Sequence, residues 1–380
     1  MAKKPFSISR SAARRIWLRA QRLDELTPFG SGPAAVPAAI EHLGYVQIDT
    51  ISVIERCHHH ILFSRIPDYR REHLSQAQVS DKSVFEYWTH ALAYVPARDL
   101  PFFLPAMQQF RETPSRWFGS VAPDEVKKML KRIRADGPIS MRDIDDDELV
   151  DKTHPWASKK PSKRVLEMMF YQGHVTIGSR AGMLKTYDLI ERHFDWQGKP
   201  KPATARQVIA YQLDRALRAQ GIVSLDSICH LTPSSKKPVK ELIESRVRTK
   251  KLVPVLIEGS EVQHWAAPDT LDAIPADAPT LIHILSPFDP LIIQRKRLNL
   301  FFGYDHIFEA YVPAARRKFG YFTLPVLAGE QIIAAIDLKA DRAARSLLVQ
   351  KLTWLEDETA ERRALLDTAL ERFAAFQFDN

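Results

Sequence analysis

Two stretches in the middle of the chain repeat one ordered set of local signals, and this repeat restricts the fold more than any other feature. In the first, Pro123 and Asp124 open a helix with apolar Val126, Met129, Leu130 and Ile133. Proline suits the first helical turn, and an acid suits its N-terminal dipole. Gly137 and Pro138 end that helix. Ser140 is placed to cap a short helix through Ile144, and Ser162 a longer one with Val165, Leu166, Met169 and Phe170 as its buried stripe. Gly173 closes it, and His174–Gly178 and Met183–Leu189 read as strands around the turn Ser179–Gly182. The second stretch keeps the order: a helix Ala203–Ala219 ended by Gly221, a short helix capped by Ser224, and a basic helix Lys237–Arg248. Strands Leu252–Ile257 and Glu261–Trp265 then flank Gly259 and Ser260. Helix, short helix, basic helix and hairpin in this order make a winged helix, here present twice.

Upstream, Ser9 is placed to cap a helix with Ala13, Ile16, Trp17 and Ala20 on one face, and Val36–Leu43 follows a Gly- and Pro-rich loop. From Gly44 the pattern turns β-like, with strand positions at Val46, Ile48, Ile51 and Val53 and again at Ile61–Phe63. We read this as a third, divergent winged helix. Residues 267–280 read as a linker. Beyond it, Ile307–Val312, Phe319–Leu327, Gln331–Leu338 and Ser346–Leu355 predict an antiparallel sheet or small barrel, closed by an amphipathic helix Glu358–Phe376. The expected fold class is α+β, three tandem winged-helix motifs with a C-terminal antiparallel β-barrel-like domain. The expected segments are 1–115, 116–200, 201–267 and 281–380.

Length and composition agree. A chain of 380 residues exceeds a single domain of ~150, and 45% hydrophobic with 26% charged residues excludes a largely unstructured chain. No uncharged apolar run approaches the roughly 18 residues that span a bilayer, and the first residues lack the apolar core of a secretory signal. A cytoplasmic location is expected. Cys57 and Cys229 stand far apart, without CxxC spacing, which fits a reduced compartment.

The net charge of +8 is concentrated where winged helices meet DNA. Between Lys159 and Lys185 six basic residues, Lys159, Lys160, Lys163, Arg164, Arg180 and Lys185, face the single acid Glu167. Between Lys236 and Lys251 seven basic residues, Lys237 and Lys240 among them, face Glu241 and Glu244. Such side chains neutralise phosphates and release counterions, whereas a solvated helix face is the plainer reading of either segment alone. Their recurrence at equivalent places favours duplex DNA. Neither segment offers a base-reading set, so backbone binding is expected.

The chemistry-bearing groups lie elsewhere. In Gly44-Tyr45-Val46-Gln47-Ile48-Asp49-Thr50-Ile51 the alternation suits a half-buried strand. Gln47 and Asp49 would then share a face, roughly 6.6 Å apart at twice the strand rise. An amide and a carboxylate at that spacing suit one bound water. An Asp-Thr pair after a strand is more commonly a turn or cap, and the residues alone favour that reading. His58, His59 and His60 beside Cys57 suggest a metal, but strand neighbours point to opposite faces, so no metal site is expected. His58 and His59 are candidate donors to a phosphate or base, or ordinary partly buried histidines. Phe85, Tyr87, Trp88 and His90 would stack on an exposed base, although such clusters are more commonly core. No GxGxxG, P-loop, HExxH or GxSxG occurs in a usable context. Two functional classes stand: a DNA-processing enzyme, and a non-catalytic winged-helix regulator, the latter weakened by the lack of a dimerising coiled coil.

Several unusual strings together make the sequence resemble the winged-helix DNA glycosylases of the AlkZ and YcaQ type. They are Gln47-Ile48-Asp49-Thr50, Arg56 with His58-His59, Leu62-Phe63-Ser64-Arg65, Glu86-Tyr87-Trp88 with His90, Ser286-Pro287-Phe288-Asp289-Pro290, Arg295-Lys296-Arg297 and Phe319-Gly320-Tyr321-Phe322 before Leu324-Pro325. The resemblance implies three winged helices and a β-barrel curved around duplex DNA, and excision of alkylated purines. It implies Gln47 and Asp49 as the catalytic pair, in the Gln-x-Asp form of the branch acting on N7-alkylguanine monoadducts and interstrand crosslinks. Arg56, His58, His59 and Arg65 join the basic residues Lys160, Lys163, Arg164, Arg180, Lys237 and Lys240 as expected DNA contacts. No metal, cofactor or nucleotide is called for, and a nucleoid-associated monomer is expected. Relatives commonly carry Glu directly after the histidine of Tyr-Trp-x-His; here that position is Ala91.

Overall fold

The computed structural model describes residues 5–144, 149, 158–277 and 279–378. The chain packs as two compact units, Met1–His73 with Ile209–Asn380, and Leu74–Val208. The boundary after His73 falls inside the expected segment 1–115.

Within Leu74–Val208, the strands Val84–Trp88 and Leu92–Pro96 pair antiparallel and precede the helix Leu100–Glu112. The first repeat follows. Its opening helix, Pro123–Asp136, buries Val126, Met129 and Ile133, and the Glu125 carboxylate accepts the Ala122 amide proton at its start. Ser140 caps a single 3-10 turn, Met141–Asp143, through its hydroxyl, while Asp143 accepts the Ser140 amide proton in return. Such a cap is worth about 1 kcal/mol. The basic helix runs Pro161–Tyr171 and buries Val165, Leu166, Met169 and Phe170. It starts one residue before the expected cap, because Pro161 occupies the first turn and Lys160 is the N-cap. The first hairpin strand, Val175–Ala181, runs past its expected end at Gly178, and the second, Leu184–Leu189, starts one residue later than expected, the turn being confined to Gly182 and Met183. Ile139–Ser140 adds a third strand beside Leu184–Leu189.

The second repeat, which from Ile209 onward belongs to the other unit, has the same order. Helix Ala205–Gln220 leads to strand Ile222–Ser224, short helix Leu225–Ile228 capped by Ser224, helix Lys236–Arg248, and strands Val253–Ile257 and His264–Ala266. Leu213, Val223, Ile228, Val239, Ile243 and Leu252 form its core. One strand comes from far away: Phe6–Ile8 pairs parallel with Val255, Leu256 and Ile257. Ser9 then caps helix Arg10–Ala20, whose Trp17 packs edge-on against Phe301, ring centroids 5.0 Å apart.

Three expectations are corrected. Residues 267–280 are not wholly a linker, since Pro268–Asp272 is helical. Ile307–Val312 is not a strand. The C-terminal region is not a closed barrel but an open antiparallel sheet ordered Ile282–Ile284, Thr323–Ala328, Gln331–Asp341, Ser346–Trp354. Closure would require the first and last of these strands to pair. Instead, helix Ala360–Phe378 packs beside Ile282–Ile284, and much of Ser346–Trp354 faces solvent.

Candidate active site and DNA-contact residues

The Gln47–Asp49 segment is set by its two flanks. Helix Ala35–Leu43 ends on Gly44 at φ +79°, where a Cβ would lie 2.4 Å from the Arg215 side chain, so glycine is needed for both conformation and space. The strand that follows is only Val46–Gln47, and Asp49 lies beyond it in a loop. The expected alternation therefore fails: Val46, Gln47 and Ile48 are all buried, Gln47 being 6% exposed, while Asp49 is half-buried and Thr50 open.

The turn reading of Asp49 is realised, since its Oδ1 accepts the Ile51 amide proton at 2.8 Å. That bond fixes the plane of the carboxylate without using it up. Among the described residues, Oδ2 has no hydrogen bond. On the other flank the Cys57 thiol donates to the Gln47 carbonyl at 3.1 Å. Burial first, and then the neighbouring Asp49 charge, hold this thiol well above the ordinary range, so it stays a donor.

Ile61–Phe63, expected as strand, belongs to a helix, Cys57–Phe63, and this changes the histidine picture. The His58 ring lies tilted against His59 with centroids 4.2 Å apart and is 3% exposed. His59 Nδ1 lies 2.5 Å from the Tyr69 hydroxyl. The His60 Nε2–H donates to the Ile284 carbonyl at 2.7 Å. Burial lowers both His59 and His60 to about 4, which makes them neutral near pH 7 and removes His59 as a cationic phosphate contact. Among the described residues no three His, Cys, Asp or Glu side chains converge to hold a metal.

Sequence reasoning missed Glu55, Arg71 and Tyr69, which no spacing brings together. The Glu55 carboxylate accepts from the Arg56 amide and from Arg71 Nε, each at 2.8 Å. Burial works against its charge, but His59 where it is protonated, the Arg56 amide and Arg71 outweigh it and keep the carboxyl below the usual range. Arg56 itself is half-exposed at the start of the helix.

The expected DNA contacts divide into exposed and buried groups. Lys163, Lys237 and Lys240 are exposed and Lys160 is half-exposed. Lys163 lies 3.8 Å from Glu167, a loose surface pair. Arg65 and Arg164 are buried, and Arg180 is half-buried with its guanidinium engaged. Arg65 is 1% exposed, and its guanidinium is spent on Gln21, Ile61 and Asp289. Arg180 forks onto Glu86 at 2.5 and 2.6 Å, and Arg164 is 7% exposed. An arginine ordinarily keeps its cationic tip in water; Arg65 and Arg180 are drawn inward by the buried carboxylates of Asp289 and Glu86. Phe85 and Tyr87 are likewise core, packed on Phe103, whereas Trp88 is 44% exposed.

The model of the AlkZ-like DNA glycosylases matches residues 40–376, nearly the whole chain and all of this constellation. The chain belongs to the AlkZ-like DNA glycosylase family. As such it is an enzyme of DNA repair that acts on DNA, and the non-catalytic regulator is set aside. The fold agrees: DNA glycosylase AlkZ of Streptomyces sahachiroi matches with a TM-score of 0.64 at 17% identity, covering 98% of either chain. Among the described residues, no helix of this AlkZ-like glycosylase is long and apolar enough to cross a membrane.

Proposed function

We propose that this AlkZ-like enzyme is a monofunctional glycosylase that hydrolyses the N-glycosidic bond of N7-alkylated guanines, crosslinked ones included, with Asp49 and Gln47 as its catalytic pair. The observation that carries this reading is the Asp49 carboxylate, fixed through Oδ1 by the Ile51 amide with Oδ2 unengaged among the described residues, on a loop that opens to solvent at Thr50.

Alkylation at N7 makes guanine cationic and a good leaving group, so little protonation of the base is needed. As the C1′–N9 bond breaks, its electron pair leaves with the base and positive charge develops on the sugar. The Asp49 carboxylate stabilises that charge and takes a proton from the water whose oxygen bonds to C1′. Gln47, almost covered, acts from the floor of the site, where its amide orients the water. An open approach beside Thr50 suits a bulky or crosslinked base that a tight flipping pocket would refuse. The two helix–strand–helix–helix–hairpin repeats are read as winged helices that grip the duplex through Lys160, Lys163, Lys237 and Lys240, with Arg56 beside the reacting loop. His58 is a positioning neighbour of His59 in this reading.

The test is incubation of purified protein with a duplex carrying one N7-methylguanine or one nitrogen-mustard crosslink. Abasic sites should form with intact strands. Strand cleavage, or no release of base by a protein that binds the duplex, would overturn the proposal.

A further inference from the structure

The loop that carries Asp49 has almost no regular structure of its own. Between strand Val46–Gln47 and helix Cys57–Phe63 its main-chain groups need partners, and three consecutive carbonyls, those of Ser52, Val53 and Ile54, find them on the hairpin Gln331–Asp341/Ser346–Trp354. The Ala340 amide donates to the Val53 carbonyl at 3.0 Å. Arg342 Nη2 donates to the Ser52 carbonyl at 2.9 Å and the Ile54 carbonyl at 3.1 Å, and lies 3.0 Å from the Ser52 hydroxyl. Arg342 is itself held in place. Asp341 Oδ1 accepts the amide protons of Ala343 and Ala344 at 3.1 and 2.9 Å, which shapes the turn that presents it.

An arginine at an exposed hairpin end ordinarily samples many rotamers, and ordering it has an entropic cost. Here its cation is aimed at carbonyl dipoles, a charge-assisted arrangement stronger than a neutral hydrogen bond. The consequence runs back along the chain. Ile51, whose amide fixes Asp49 Oδ1, is the residue directly before Ser52, so the clamp on Ser52–Ile54 bears on the anchor of the carboxylate.

We infer that Arg342 is a positioning residue for Asp49: by tying the Ser52 and Ile54 carbonyls to the C-terminal hairpin, it holds the loop that aims the carboxylate. The inference rests on the reading of Asp49 as the reacting carboxylate. Misplacement of a reacting group by about 1 Å lowers rate by about 100-fold, and a loosened loop should fall at or below that figure.

The experiment compares wild type, Arg342→Ala, Arg342→Lys and Asp49→Asn in single-turnover excision at saturating enzyme on a duplex with one N7-methylguanine. Duplex affinity, its salt dependence and Tm are measured beside it. Arg342→Ala should lose between about 10-fold and 100-fold in the saturated rate, with affinity within a few-fold of wild type and an unchanged salt slope. Arg342→Lys, which keeps a donor and the charge, should recover part of the rate. A saturated rate equal to wild type in Arg342→Ala would overturn the inference. So would a defect that disappears as enzyme is raised while the salt slope drops by about one unit, the signature of a phosphate contact. Normal excision by Asp49→Asn would instead bring down the reading beneath it. If Arg342→Ala lowers Tm sharply, its saturated rate is read well below its own Tm, where a rate equal to wild type overturns the inference and a deficit that Arg342→Lys restores in part or whole supports it.

Discussion

Arg65 and Asp289 stand 224 positions apart in the sequence, yet meet as a fork on a carboxylate, Nη1 to Oδ2 at 2.7 Å and Nη2 to Oδ1 at 3.0 Å, with both side chains fully buried. The remaining donors go to the Gln21 carbonyl, the Gln21 side chain and the Ile61 carbonyl, so all five N–H groups of the guanidinium are accounted for. Both residues lie in strings by which the sequence resembles its family. Here they hold the N-terminal helices to the connection between the first two strands of the C-terminal sheet, Ile282–Ile284 and Thr323–Ala328.

Breaking this pair should therefore cost stability before anything else. Arg65→Ala leaves a buried carboxylate without its cation, a change of about 3–5 kcal/mol. Urea denaturation monitored by circular dichroism measures it, and a loss below about 1 kcal/mol would mean that water replaces the arginine.

Acid should destabilise the fold through its histidines. His42, His59, His60, His264, His283 and His306 are each lowered from 6.5 to about 4, in every case chiefly by burial. In that range the unfolded chain binds protons that the folded chain refuses, so stability contributed by the neutral rings is complete above about 6.5 and is lost as pH falls toward 4. Unfolding free energy should be flat near neutrality and decline below pH 6.5. His60→Gln, which keeps a donor for the Ile284 carbonyl, should make that decline shallower. A pH-independent stability between 4 and 6.5 would contradict the burial of these rings.

Duplex affinity should respond to the lysines and not to the buried arginines. Removing both Lys237 and Lys240 by substitution with Ala should weaken binding and reduce the salt slope by about 1.8, at about 0.9 for each phosphate no longer neutralised. Filter binding or anisotropy across a salt series measures the slope. No change in slope would return helix Lys236–Arg248 to a merely solvated face.

How far this could be read from the sequence follows from the range of each interaction. Ser9, Ser140 and Ser224 cap the turns expected of them, because a cap is decided within four residues. The two repeats were legible for the same reason. The pairing of Phe6–Ile8 with Val255–Ile257 joins residues some 250 apart and leaves no local mark. Ile307–Val312 has the composition of a strand, but Glu309 is turned inward, where its carboxylate accepts the amide protons of Lys318, Phe319 and Gly320. Ile61-Leu62-Phe63 misled in the opposite direction, since a short apolar run suits a buried helix as well as a strand. At the site, Gln47 and Asp49 were legible as an unusual pair. Their unequal exposure was not, because the strand stops at Gln47 and Asp49 falls in the loop beyond it, whose later residues are tied to a hairpin nearly 300 residues away.

The central claim concerns Asp49. In single-turnover excision of N7-methylguanine from a duplex at saturating enzyme, Asp49→Asn should lower the rate by at least about 100-fold, the usual contribution of a group that stabilises transition-state charge or accepts a proton, while duplex affinity stays within a few-fold of wild type. Release of the base by Asp49→Asn at the wild-type rate would contradict the account.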